Sequence, residues 1–158
     1  MKPPRSIADL LTEAEFFADL PQEVLDLVGG CGRNVHLRAG ELLCRAGGEA
    51  NTFYLIRRGR VAIELALASG QPATVSTVTD GGVVGWSWLF PPYRWQLDAR
   101  ATTDIRAVAF DGVCLREKCD ADPAVGYQLM GRFAQLAIEH LQAARLQMLD
   151  VYGTSGGR

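Results

Sequence analysis

The sequence predicts an α+β fold, an antiparallel double-stranded β-helix (jelly-roll) with helices before and after it. Between residues 33 and 110, short apolar strands are separated by glycines at close intervals, which is typical of a sandwich or barrel. Outside this region, apolar residues recur every three or four positions, as in amphipathic helices. The segments that we expect in this single domain are helices over 1–31, the β-roll over 32–110, helices over 111–153 and a flexible tail over 154–158.

Size and composition are those of an ordinary soluble globular protein. The chain has 158 residues, of which 48% are hydrophobic and 22% are charged. Sixteen basic residues against eighteen acidic ones give a net charge of −2, so this balance provides no electrostatic reason to expect nucleic-acid binding. The N-terminus lacks the apolar core of a signal peptide, and no run approaches the length of a membrane span. We therefore expect a cytoplasmic protein with no membrane partner.

The four cysteines form no recognisable metal or redox motif. They include no CxxC pair and no histidine at zinc-finger spacing. Two of them lie five positions apart, which is a poor spacing for ligands on one helix. We expect buried, reduced thiols and no bound metal. The cysteines are Cys31, Cys44, Cys114 and Cys119.

The first helices are predicted from capping residues and one apolar face. Ser6 or Thr12 can cap a helix, and Glu15 lies three residues after Thr12, as in a capping box. Pro21 suits the first position of a further helix, which ends at Gly29-Gly30. Its apolar face consists of Leu20, Val24, Leu25, Leu27 and Val28.

Eight short strands are predicted in the central region. They are bounded by turns that contain glycine, a residue that suits the positive φ of such turns. No strand–helix–strand pattern interrupts them, which favours antiparallel pairing. The strands cover Val35–Leu37, Leu42–Cys44, Thr52–Ile56, Val61–Leu67, Thr74–Val78, Val83–Val84, Gln96–Ala101 and Ile105–Phe110.

The most informative segment, which we call the cassette, is Gly82–Ala101, with the sequence GVVGWSWLFPPYRWQLDARA. A strand ends at Gly85, a brief helical turn follows over Ser87–Phe90, and two prolines stop it. A glycine that opens a short helix exposes backbone N–H groups, which suit an anion such as phosphate. Arg94 is near enough in sequence to bind that anion bidentately.

A short helix over Gly112–Cys119 and a long helix to about Tyr152 are predicted after the strands. Asp122 suits the N-cap of the long helix, and Pro123 its first position. The long helix carries small and apolar residues in a three-four repeat, the pattern of a seam between paired helices. We expect a homodimer through this seam, which consists of Ala134, Ala137, Leu141, Ala144, Met148 and Val151.

Taken in this order, these elements resemble the cyclic nucleotide-binding domain of the catabolite-activator and fumarate-nitrate-regulator family. The resemblance covers roughly residues 14–153 and depends on the order and spacing of the matching residues. It implies a regulatory domain that is not an enzyme. The matching residues are Phe17 and Leu20 (an FxxL motif), Gly40-Glu41-Leu42, Gly48-Glu49, Tyr54, Ile56, Gly59, Gly81-Gly82, Gly85, Ala99, Ala101 and Leu149-Asp150-Val151.

The ligand contacts of that family are replaced in this chain. In the family, a glutamate after the cassette glycine accepts the ribose 2′-hydroxyl, and an arginine pairs with the cyclic phosphate. Trp86 stands at the glutamate position, and an indole can only donate. The arginine position falls on Gln96 or on Trp95, depending on the end from which it is counted, and Arg94 matches only in a shorter loop. Losing both contacts is expected to weaken binding by about two to four decades.

Aromatic residues crowd the cassette. We expect these rings to fill the pocket as core, to line a remodelled pocket for a flatter or more apolar ligand, or to form a surface patch for a partner protein. The rings are those of Trp86, Trp88, Phe90, Tyr93 and Trp95.

The resemblance also implies which residues would contact a ligand. A backbone cradle, a polar clamp and a lid contact from the long helix are each expected. The residues are Gly85, Trp86 and Ser87 for the cradle, Trp88 and Trp95 beside it, Arg94 or Gln96 for the clamp, and Glu139 or His140 for the lid.

The sequence leaves several alternative functions open. The resemblance implies a sensory or regulatory domain with a divergent cassette, which does not bind cAMP or cGMP in the usual manner. The same fold would also serve as a ligand-free interaction adaptor, or as a cyclic-nucleotide sensor that uses Arg94 in a shifted loop. A metal-dependent enzyme of the cupin type needs two or three histidines that converge with a carboxylate, and the chain has only His36 and His140.

Partners and cofactors follow from the same resemblance. Whole regulators of the family carry a helix-turn-helix after the long helix, and only six residues follow Tyr152 here. We therefore expect no direct DNA binding by this chain, and instead pairing with itself or with a full-length relative. The only candidate cofactor is a cyclic nucleotide or another small ligand.

Overall fold

A computed structural model describes residues 4–155, although the side chains of residues 147, 148 and 150–155 lie outside that description. The described part contains four α-helices, eight β-strands and two short 3₁₀ helices. The α-helices are α1 (Ile7–Thr12), α2 (Gln22–Gly29), α3 (Gly112–Ala121) and α4 (Pro123–Ser155). The strands are β1 (Gly32–Leu37), β2 (Leu42–Cys44), β3 (Thr52–Arg58), β4 (Val61–Leu65), β5 (Ala73–Val78), β6 (Val83–Val84), β7 (Asp98–Ala101) and β8 (Ile105–Asp111). The 3₁₀ helices cover Glu15–Phe17 and Ser87–Leu89.

The strands form two four-stranded antiparallel sheets, in the orders β1-β8-β3-β6 and β2-β7-β4-β5. All eight predicted strands are present, with ends that differ by three residues or fewer. The antiparallel α+β class is therefore confirmed. The first sheet carries helices on its outer face, and the second faces it across the interior of the roll.

Two apolar clusters hold these layers together. One fills the space between the two sheets and includes Ile56, Val61 and Ile105. The other lies between the first sheet and the helices, where Phe53 stacks on Phe110 with ring centroids 4.5 Å apart. Alternate residues of β3 and β8 face opposite sides of the sheet, so one strand contributes to both clusters. These strands read as nearly continuous apolar runs because both of their faces are buried.

The helix ends correct three details of the prediction. Ser6 does cap α1, in a capping box with Asp9, whereas Thr12 ends that helix and donates from its hydroxyl to the carbonyl of Asp9. Pro21 precedes α2 as its N-cap instead of occupying its first position. Helix α4 continues to Ser155, so the expected tail at 154–158 begins with helix, and residues 156–158 lie outside the described residues. Within residues 4–155, no helix has a stretch both long and apolar enough to cross a bilayer.

The expectation of four reduced thiols is wrong for one pair. Cys31, at the start of β1, and Cys114, on α3, form a disulfide with their Cα atoms 6.2 Å apart. Cys44 and Cys119 are free, in agreement with the expectation. Spacing in the sequence could not reveal the pair, because its two members are 83 residues apart and meet only through the fold. The cytoplasmic location stays a prediction, since disulfides persist mainly in oxidising compartments.

Candidate functional site

The turn within the cassette starts at a glycine, Gly85, that no other residue could replace without rearrangement. Gly85 has a φ of +102°, in the region that favours glycine. A Cβ atom built on it would lie 2.6 Å from the indole of Trp95, so the ring rests directly on the bare backbone. Within residues 4–155, the backbone N–H groups of Trp86 and Ser87 donate to no protein acceptor. Among the described residues, these two amide groups are thus unpaired beside the ring of Trp95, and their role as a cradle for a ligand stays a prediction.

The space that remains beside this cradle is too small for a nucleotide. The cavity measures about 30 Å³, close to the volume that one water occupies in the liquid. Pockets that bind small molecules usually measure about 300–1,000 Å³. The cavity is lined by Cys44, Ile63, Val84, Gly85, Trp86, Ser87, Trp95, Gln96, Leu97, Asp98 and Ala99.

The charge around this cavity has the wrong sign for a phosphate. Its lining contains a carboxylate, Asp98, and no arginine or lysine. One oxygen of Asp98 accepts a hydrogen bond of 2.7 Å from the amide of Ala46, which holds the carboxylate in place. Burial, together with the charge of Asp98, raises the pKa of the Cys44 thiol to about 12. Cys44 therefore stays a neutral thiol at physiological pH.

Helix α4 closes the roll through His140. The imidazole lies against the indole of Trp86, with ring centroids 4.8 Å apart. Its Nδ1 is 3.3 Å from the hydroxyl of Ser76 on β5. Burial lowers the pKa of His140, and the nearby charge of Glu139 opposes this shift only in part. A neutral imidazole thus occupies the predicted lid position, whereas Glu139 is exposed and lines a different groove, beside Glu15 and Gly82.

Of the two candidates for the polar clamp, only one lines the cavity. Arg94 is exposed and does not line the cavity, and its guanidinium donates at 3.4 Å to the carbonyl of Gly47. Gln96 does line the cavity, but its amide donates at 3.4 Å to the carbonyl of Arg94. Gln96, which is itself exposed, is thus the only residue of the predicted clamp that lines the cavity.

Trp88 was expected beside the ligand and instead belongs to the core. Its ring is fully buried between the first sheet and the helices, stacked on Phe53 at 5.0 Å and edge-on to Phe133 at 5.1 Å. The 3₁₀ turn over Ser87–Leu89 directs successive side chains to different sides, so Trp86 and Trp88 cannot both face the cavity. Trp88 therefore anchors the cassette to the helices.

A second anchor of the cassette, Arg116 on α3, was not found from the sequence. Its guanidinium donates to the carbonyl of Trp88 and, at 3.0 Å, to the side-chain oxygen of Asn51. It also donates at 3.3 Å to the carbonyl of Ala50 and lies 4.3 Å from the ring centroid of Tyr93. One side chain thus joins α3, the loop before β3, and the segment Trp88–Tyr93 of the cassette, which we call the aromatic turn. No local motif marks this role, because all its partners are distant in sequence.

The residues of the predicted dimer seam differ in exposure. Leu141 is 53% exposed on α4, whereas Ala134, Ala137 and Ala144 are half-buried. The side chains of Met148 and Val151 lie outside the described residues. Further apolar side chains on α4 are exposed, and the seam prediction missed them. They are Tyr127, Met130, Ile138, Leu146 and Leu149.

The two histidines lie on different elements, β1 and α4. Within the described part of the chain, no group of three or more His, Cys, Asp or Glu side chains could hold a metal ion. The geometry therefore provides no metal centre of the cupin type there.

The fold and the glycine-led cassette define a class of protein, the cyclic nucleotide-binding domains. The family model described as cyclic nucleotide-binding domain matches residues 34–122, which is more than half of the chain. The chain belongs to this family.

Several solved structures are similar to this chain. A protein from Geobacter metallireducens GS-15, described as cyclic nucleotide-binding, is 28% identical, with a TM-score of 0.77 over 85% of this chain and 97% of that one. A cyclic nucleotide-binding domain from Methylobacillus flagellatus KT is 15% identical, with a TM-score of 0.76 over 92% and 82% of the two chains. The N-terminal domain of a transcriptional regulator from Streptomyces coelicolor A3(2) is 21% identical, with a TM-score of 0.67 over 85% and 94%. No curated protein matches the sequence.

Proposed function

We propose that this chain is a non-catalytic regulatory domain whose cassette is occupied by its own aromatic side chains and does not bind cAMP or cGMP in the usual manner. The observation that carries the proposal is the position of Trp95, 9% exposed, with its ring against Gly85. The indole lies where a ligand would have to approach the cradle.

Volume and charge support the same conclusion independently. A cavity of about 30 Å³ would have to grow about tenfold to reach the lower limit for small-molecule pockets. A cyclic phosphate that entered it would face the carboxylate of Asp98, and like charges in a partly dry site repel strongly. Arg94 would have to leave Gly47 and turn inward before it could neutralise the phosphate. The alternative of a sensor that uses Arg94 therefore needs a rearranged loop.

Titration with cAMP and cGMP, followed by tryptophan emission, tests this proposal. Trp86 and Trp95 both line the cavity, so a bound ligand would change their emission. We expect no saturable change up to millimolar nucleotide. Saturation at micromolar cAMP or cGMP would contradict the proposal.

A cavity variant supplies the positive control for that titration. Trp95→Ala removes the ring next to Gly85 and is expected to leave a void that accepts indole, as engineered apolar cavities accept small aromatic molecules. Indole should therefore raise the melting temperature of Trp95→Ala and leave that of the wild type unchanged. An equal effect on both proteins would show that Trp95 does not fill the site.

We further propose that α4 pairs this domain with a second copy or with a relative. Exposed apolar side chains at Met130, Ile138 and Leu141 lie three to eight positions apart, in steps that return to one side of a helix. An apolar stripe of this kind on an exposed helix is typical of a protein–protein contact. The stripe also favours the adaptor alternative, because it needs no ligand in the roll.

Leu141→Glu is expected to convert a dimer of this chain into a monomer. The substitution places a charge within the apolar stripe, where pairing would bury it without a partner. Sedimentation or light scattering at several concentrations measures the change. Gln135→Glu, at another exposed position of α4, is the matched control and should leave association unchanged. A wild-type chain that stays monomeric at high concentration would refute pairing with a second copy and leave only pairing with a relative.

A further inference from the structure

A cleft outside the roll carries an excess of arginine. It lies between the N-terminal helices and the first sheet, and its volume is about 390 Å³. Arg57 and Arg58, at the end of β3, and Arg106, on β8, line it and are exposed. The floor consists of buried apolar residues, among them Leu10 and Leu55. This volume falls within the range of small-molecule sites, unlike that of the cavity in the roll.

The strand register forces these cations together. Arg58 is the register partner of Arg106 on the neighbouring strand, after a bulge between Ile56 and Arg58, and Arg106 lies directly opposite His36 on β1. Directly opposite residues have Cβ atoms about 4.5–5.5 Å apart, and like charges in such pairs destabilise a sheet. The fold therefore places Arg58 and Arg106 at the same level of neighbouring strands, where both line the cleft.

Carboxylates near the cleft are engaged elsewhere. Glu13 lines the cleft and forms an ion pair of 2.7 Å with Arg5. Asp80 accepts at 2.8 Å from the amide of Gly59, and Asp104 accepts at 3.1 Å from the amide of Ala39. Within residues 4–155, none of the three cleft arginines has a carboxylate oxygen within 4.0 Å. The cleft lining thus carries three arginines against one carboxylate, Glu13, which is already paired with Arg5.

We infer that this cleft binds a small polyvalent oxyanion, that is, a compound with two or more phosphate or carboxylate groups. Guanidinium groups pair bidentately with such oxygens, and neighbouring arginines suit an anion with more than one charged group. A monovalent anion could neutralise only one member of the pair formed by Arg58 and Arg106. No residue that lines the cleft also lines the cavity beside Gly85, so the two are different sites.

The inference is tested by thermal unfolding with sodium pyrophosphate and, in a parallel series, with citrate, both at constant ionic strength. We expect a saturable rise in the melting temperature with at least one of them. A single bound anion at one hundred times its Kd should raise it by about 5–10 °C for a domain of this size. A response to pyrophosphate alone would assign the site to phosphates, and a response to both would assign it to polyvalent oxyanions in general.

Arg106→Gln and Arg58→Gln are expected to weaken anion binding at least tenfold. Without the anion, each variant should melt at or above the wild-type temperature at low salt, because the repulsion between opposite strands is relieved. Arg45→Gln, an exposed arginine that does not line the cleft, is the matched control and should bind as the wild type does. Absence of a saturable response to both anions, or unchanged binding in Arg106→Gln and Arg58→Gln, would overturn the inference. Binding of an acidic peptide without binding of either small anion would also overturn it.

Discussion

Replacing Arg116 with alanine is expected to lower the free energy of unfolding by about 2–4 kcal/mol, and the melting temperature by roughly 5–15 °C. The guanidinium donates to Trp88, Asn51 and Ala50. A hydrogen bond from a charged donor contributes about 1.5–3 kcal/mol net of its exchange with water, and the three bonds of Arg116 contribute less than their sum because the residue is only half-buried. Its contact with the ring of Tyr93 adds about 0.5–2 kcal/mol. Denaturant unfolding measures the loss.

Two further variants complete this test. One distinguishes the contribution of the planar geometry of Arg116 from that of its charge, and the other is a control at a neighbouring position. Arg116→Lys keeps the positive charge but cannot reach three acceptors in a planar arrangement, so we expect it to recover less than half of the loss. Glu117→Ala, at the exposed neighbouring position of α3, should change the free energy of unfolding by less than about 0.5 kcal/mol. An Arg116→Ala protein within about 1 kcal/mol of the wild type would show that the cassette does not depend on this side chain.

Arg116 links the cassette to the C-terminal helices. It is the point at which the cassette is tied to α3, and α4 follows α3 directly. Loss of this tie should therefore raise hydrogen exchange in the aromatic turn and in α3 more than in β3 or β8. Uniform loss of protection would instead indicate global destabilisation.

Removing the disulfide between Cys31 and Cys114 is expected to lower the free energy of unfolding by about 2–5 kcal/mol. The bond closes a loop across 83 positions, and the chain-entropy model assigns a loop of that length about 4.5 kcal/mol. Cys31 also accepts a backbone hydrogen bond from Asp111, which ends β8, so native contacts near the bond persist after its removal. Denaturant unfolding of the double variant Cys31→Ala, Cys114→Ala measures the effect.

Reductant provides the control for the disulfide. It should destabilise the wild type and leave the double variant unchanged, because Cys44 and Cys119 are already free thiols. Alkylation of the denatured, unreduced protein should label these two cysteines and no others. Labelling of all four, with the protein purified under oxidising conditions, would contradict the pairing.

The sequence determined the elements and their order. Alternating apolar residues and turn glycines placed all eight strands, and capping residues such as Ser6 and Asp122 placed helix starts, because these signals act over a few neighbouring residues. The sequence also placed a glycine-led turn at Gly85, and the structure gives that residue the positive φ that such a turn requires. The resemblance also implied, without any coordinates, that Trp86 stands where the family has a glutamate.

Only the tertiary structure decided what each cassette residue contacts. The direction of a side chain near a tight turn depends on the local backbone dihedral angles, which the sequence does not specify. Three tryptophans that look equivalent in the sequence therefore contact different parts of the protein. Trp95 covers Gly85, Trp86 meets His140, and Trp88 enters the helical core. Three further features could not be predicted from the sequence. They are the hydrogen bonds of Arg116 to the cassette, the carboxylate of Asp98 beside the cavity, and the disulfide. Each joins positions tens of residues apart, and such long-range contacts exist only after the chain has folded.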